Sequence, residues 1–191
     1  MKPALVLALL LAGCGSRAAG PIPTPIGTGA RFHPAVPNAL ARTGAPIGGL
    51  RCEREGGARY GVHVELFAAG LVVIVPPGIG VAPPFRRAGA FVTPRGCTYP
   101  LRTLDPTGVI EVRPVRKLTL GDLFAVWGVP LSPTRLAGFR TTASKPVRAY
   151  VGGDEWHGSL AAIPLRRHAE IVLEVGPFIP PHRSFLFRPG L

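Results

Sequence analysis

Acidic residues, lysine, methionine and cysteine are all scarce in this chain of 191 residues: 10 Asp plus Glu, three Lys (Lys2, Lys117, Lys145), one Met and three Cys. Charged residues make up only 17% against 47% hydrophobic, a balance that excludes a fully disordered chain. Long breaker-free segments are missing as well. The 25 Gly and 23 Pro run through the whole length, which excludes a helical bundle or coiled coil. These breakers have no three-residue period, so a collagen-like chain is excluded too. Familiar catalytic signatures are absent: there is no G-x-S-x-G, no P-loop and no H-E-x-x-H. Gly78-Ile79-Gly80 lacks the third glycine and following helix of a phosphate cradle and reads as a turn. With acids this thinly spread, nothing places two carboxylates together for acid–base work. The expected activity is binding or scaffolding rather than catalysis, in one β-rich or mixed domain.

What the chain has in excess is arginine. Nineteen of its 22 basic residues are Arg, and the formal charge is +12. An Arg, Ala, Gly and Pro excess with few lysines is also what a GC-rich genome produces. The basic residues are scattered singly or in pairs such as Arg86-Arg87 and Arg166-Arg167, with no aromatic-interleaved RNA motif and no metal-stapled finger. Nucleic acid is therefore not an expected partner. Anionic envelope polymers, or another envelope protein, fit this charge better.

The compartment is suggested by the start of the chain. Met1-Lys2 precedes a short apolar run, Ala4 to Leu11, which closes with Leu11-Ala12-Gly13-Cys14. This resembles the lipobox of bacterial lipoproteins. The resemblance implies cleavage of a 1–13 signal peptide, lipidation of Cys14 and a protein tethered to the extracytoplasmic side of the cell membrane. An ordinary signal peptide with an accidental cysteine is the alternative. A second uncharged stretch, Leu66 to Phe85, is long enough to span a bilayer, but Pro76-Pro77 and Pro83-Pro84 break it. A β-hairpin followed by a loop is expected there, not a membrane helix.

Residues 14–50 are Gly/Pro-rich and read as a disordered tether, and 51–191 as a single domain. Within the domain, Tyr60, Val62, Val64 and Leu66 alternate with Gly61, His63, Glu65 and Phe67 as a half-buried strand, and Ala69-Gly70 turns into Leu71–Val75. Gly108–Arg113 is a further strand. Thr119 and Asp122 then form a capping signature for a short helix carrying Leu120, Leu123, Phe124 and Trp127 on one stripe, stopped by Gly128 and Pro130. That stripe is either core or a docking surface, and core is the expectation. Val147–Val151 and Ala169–Val175 are the closing strands. Phe185-Leu186-Phe187, in the Pro-rich tail 177–191, is an edge-strand candidate. This order predicts an α+β fold: a small antiparallel or mixed sheet with one helix packed across it. The segments Val147–Gly153 and Pro164–Ile171 resemble the closing half of a β-grasp domain. The terminal Gly-Gly of sulfur carriers is absent, so the resemblance implies a fold and not that activity.

With Cys14 lipidated, Cys52 and Cys97 remain, and two cysteines in an exported chain predict a disulfide; a thiolate metal ligand or nucleophile is the alternative. From Cys52 onward the chain is similar to a group of uncharacterised exported bacterial proteins with a His-x-His-x-His-Leu strand, a later Cys-x-Tyr-x-Leu-His-Thr-His-Asp-x-x-Gly-x-Ile-His segment and a Thr-Leu-Gly helix with a Trp-Gly end. Cys97, Tyr99, Leu101, Thr103, Asp105, Gly108, Ile110, Thr119-Leu120-Gly121 and Trp127-Gly128 match, as do His63 and Leu66. Most of the histidines are replaced, by Gly61, Glu65, Arg102, Leu104 and Glu111. No cofactor is expected on balance. The alternative is a divalent metal ion held in a degenerate site by His63, Glu65, Asp105 and Glu111, with Arg102 competing for the carboxylates. Against it stands a solvated strand face with an ion pair.

Overall fold

The computed structural model describes residues 39–54 and 56–191. Cys14 and most of the 14–50 segment lie outside them.

The main sheet has seven strands: β1 (Tyr60–Ala68), β2 (Leu71–Val73), β3 (Leu101–Arg102), β4 (Val109–Val112), β5 (Arg148–Val151), β6 (Asp154–Glu155) and β7 (Glu170–Val175). Their order is β6-β5-β7-β1-β4-β3, with β2 also paired to β1. Every pair is antiparallel except β7 with β1, which run parallel at the centre. A helix, α1 (Leu120–Trp127), lies between β4 and β5 in the chain. A first strand parallel to the last at the sheet centre, flanked by antiparallel hairpins and with one helix between β4 and β5, is a β-grasp-like order, and the fold is α+β as expected.

The two faces of the sheet follow from the period of two. Val62, Val64 and Leu66 on β1, Ile110 and Val112 on β4, and Ile171 and Leu173 on β7 are all fully buried and form one cluster with Leu120, Leu123, Phe124, Val126 and Trp127 of the helix. Val151 is partly buried against the same cluster. The helix is built as its sequence predicts. Thr119 Oγ1 accepts from the Asp122 backbone N–H while the Asp122 carboxylate accepts from the Thr119 N–H at 2.9 Å. Gly128 ends the helix in the left-handed region at φ 79° and donates to the Phe124 carbonyl. Phe124 and Trp127 rings lie 5.4 Å apart. With Trp127 at 1% and Phe124 at 2% exposure, the stripe is core and not a docking surface.

Two sequence expectations need correction. The packed domain begins before residue 51: Ala41, Ile47 and Leu50 are buried in the main core, behind a short helical turn at Ala39–Thr43. Too few apolar residues, spaced by Gly and Pro, leave no period to read there. Phe85–Ala88 and Phe91–Pro94 pair as a largely exposed two-stranded arm just after the expected loop. The tail adds no edge strand at Phe185–Phe187; residues 176–191 cross the other face of the sheet as an extended strap. Cys52 and Cys97 are joined in a disulfide. No helix among the described residues is long and apolar enough to cross a membrane.

Candidate functional site

The face of the sheet turned away from the helix carries an unusual set of polar groups. The alternation that buries Val62, Val64 and Leu66 turns Gly61, His63, Glu65 and Phe67 the other way. On β7 the same rule brings Glu170, Val172 and Glu174 to this face, and on β4 it brings Glu111. Parallel register places Glu170 opposite His63 and Val172 opposite Glu65. Glu111 lies opposite Gly61 on one side and Arg102 on the other.

Each polar group on this face has a partner. His63 Nδ1 is 2.9 Å from both Glu170 oxygens, and His63 Nε2 is 2.9 Å from the Thr107 carbonyl. Asp105 Oδ1 accepts from the Thr107 N–H at 3.1 Å and from the Thr107 hydroxyl, so Asp105 shapes the turn that presents this carbonyl. Arg102 reaches Glu111 Oε2 through Nε and Nη2 at 2.9 and 2.8 Å. Arg148 pairs with the fully buried Glu174 at 3.0 Å. Burial pushes the Glu174 carboxyl above its usual range, and Arg148 pulls it part of the way back.

The strap completes the face. Phe185 stacks on the His63 ring with centroids 3.9 Å apart, and Phe187 stacks on His168. His182 Nδ1 lies 2.8 Å from Glu65, and that hydrogen bond raises the His182 pKa above its ordinary value. Arg188 reaches Glu111, and Ile179 packs on Phe67, Tyr150 and Val172. Gly61 allows this close approach: a methyl group there would come within 2.4 Å of the Phe187 ring. A groove remains between the strap and the 104–111 segment, lined by Leu104, Asp105, Val109, Glu111, Phe185 and Arg188 among others.

The four residues picked from sequence as a metal set therefore divide. His63 and Glu65 converge, but with Glu170, their ligand atoms all within 4.8 Å of one another. Asp105 is occupied in its own turn, and Glu111 is held by two guanidiniums, the competition expected of Arg102. Sequence reasoning missed Glu170 and His182. Parallel pairing of the first and last strands, implicit in the β-grasp resemblance, was the available signal for Glu170; nothing in the Pro-rich tail marked His182. His157 is exposed in a loop. His168 has φ 59° and its Nε2 lies 2.6 Å from the Leu191 carbonyl.

Comparison of the chain with protein-family models, with curated proteins and with solved structures finds no match.

Proposed function

We propose that this chain is a lipid-anchored protein of the extracytoplasmic membrane face, whose domain binds anionic envelope polymers and does not catalyse a reaction. The observation that supports this is the segregation of charge by depth. Glu111, Glu170 and Glu174 are buried and Glu65, Asp105 and Asp122 half-buried, each in contact with a guanidinium, an imidazole or the backbone of the domain. Arg86, Arg87, Arg95, Arg135, Arg140, Arg166 and Arg167 are exposed. The net charge of +12 is thus expressed at the surface more strongly than composition alone requires. The Phe85–Pro94 arm concentrates it: Arg86 and Arg87 lie on the strand leading to the tip, where Phe91 is 59% exposed, and the Arg87 guanidinium sits 5.5 Å from the Phe85 ring centroid. Guanidiniums beside an aromatic ring suit repeated phosphate or carboxylate groups, which Arg engages in bidentate fashion.

Two experiments test the reading. The full chain should be retained on a dextran sulfate matrix and not on plain dextran, and salt should elute it. The Arg86→Glu/Arg87→Glu variant should then elute at distinctly lower salt. At about 1 kcal/mol per basic group near an anionic surface, two reversals weaken binding roughly thirtyfold or more. Equal retention of variant and parent would refute the arm's part. For the anchor, Cys14→Ser should move the exported protein out of the membrane fraction. Persistence of the variant in membranes washed with high salt would refute lipidation at Cys14.

A further inference from the structure

His63 is held between two acceptors. The Thr107 carbonyl, 2.9 Å from Nε2, has no proton to give, so Nε2 carries the hydrogen and the neutral ring keeps its lone pair on Nδ1. Nδ1 nevertheless faces both oxygens of Glu170 at 2.9 Å, and these are acceptors too. A lone pair and a carboxylate are stable in such contact only when a positive centre lies between them, either a second proton or a metal ion.

The surroundings favour a metal ion. Glu65 brings a second carboxylate, within 4.8 Å of the other two ligand atoms. His182 brings a second imidazole on the strap, 2.8 Å from Glu65 and outside the tight group of three, so it closes the site from one side. An Nε2–H donated to a backbone carbonyl is the outer contact that fixes the tautomer of metal-bound imidazoles. Phe185 closes one face of the His63 ring against water. The arginines of this face are directed to other carboxylates: Arg102 and Arg188 to Glu111, Arg148 to Glu174. Two carboxylates and two neutral imidazoles around one doubly charged cation make an electrically balanced cluster, which a partly buried position demands.

We propose that His63, Glu65, Glu170 and His182 bind one divalent transition-metal ion of the zinc class, with the C-terminal strap supplying the closing ligand. Two nitrogens and two carboxylate oxygens are a donor set for zinc and its neighbours; magnesium and calcium prefer oxygen alone. The strap is then more than a cover: a bound ion ties residue 182 to the sheet centre, so metal occupancy and strap docking stabilise each other. This site is separate from the arginine arm and stands independently of polymer binding.

The test uses the full chain stripped with a chelator, titrated with Zn²⁺ by calorimetry and with Co²⁺ by visible absorption. One ion per chain is expected, with Co²⁺ giving ligand-field bands. Loss of an outer contact alone commonly costs 10- to 100-fold in metal affinity, so His182→Ala and Glu65→Gln should each cost roughly tenfold or more. His182 is exposed, so its variant keeps the fold even where His63→Ala does not; a thermal melt of the chelated proteins checks this. His157→Ala should bind like the parent. Absence of saturable uptake by the parent overturns the proposal, and so does unchanged affinity in either His182→Ala or Glu65→Gln.

Discussion

Trp127→Ala should destabilise the domain by about 3–5 kcal/mol, the usual cost of emptying a large aromatic site in a core. Trp127 is 1% exposed, ends the helix and packs on Phe124. The helix has eight residues, too short to persist without tertiary packing, so its caps cannot hold it once the stripe is cut. It is also the longest helix against this side of the sheet among the described residues, so no other helix can refill the space. A domain of this size has a total stability of about 5–15 kcal/mol, and the loss is a large share of it. Urea unfolding is the measurement. The midpoint should fall sharply with little change in slope, because the surface exposed on unfolding stays nearly the same. An unchanged midpoint would contradict the core described here.

How much of this was legible in the sequence depends on the range over which each element is specified. The helix is local, with Thr119, Asp122 and Gly128 marking its ends and four apolar residues its face, and the structure reproduces each of these features. The strands β1, β5 and β7 are nearly as local, since a period of two assigns Val64 and His63 to opposite faces without reference to a partner. The polar site is not local. Its pairing of His63 with Glu170 spans 107 residues and depends on which strands are neighbours, something no period encodes. Asp105 and Glu111 were drawn to His63 only by their place in the segment that matches the His-rich proteins, and that match encodes no pairing. Arg102, directly opposite Glu111, removed one of them, and the Thr107 turn removed the other. The strap was least legible. Its prolines forbid a regular ladder, and it is held through single side chains, Ile179, His182, Phe185, Phe187 and Arg188, whose spacing follows the face beneath and no repeat of its own.

Removing the Cys52–Cys97 bond should cost about 4 kcal/mol, from the chain entropy that a closed loop of this size denies the unfolded state. The loop spans 45 residues and holds all of β1 and β2 and the Phe85–Pro94 arm. On the folded side the bond lies where Glu53–Arg54 pairs with Cys97–Thr98, just after Ala41, Ile47 and Leu50 have entered the core. Cutting it therefore also loosens the attachment of the N-terminal segment that any tether from the membrane would pull on. The Cys52→Ala/Cys97→Ala protein should unfold at much lower urea, and proteolysis should open residues 39–50 before the sheet is cleaved. Non-reducing mass analysis of the exported parent should find the two cysteines joined, and two free thiols there would refute the bond. If the bond forms but the double variant matches the parent in urea, then the unfolded chain is already confined by residual structure. The contribution of the disulfide would then lie in anchoring residues 39–50, which the proteolysis pattern of the same variant reads directly.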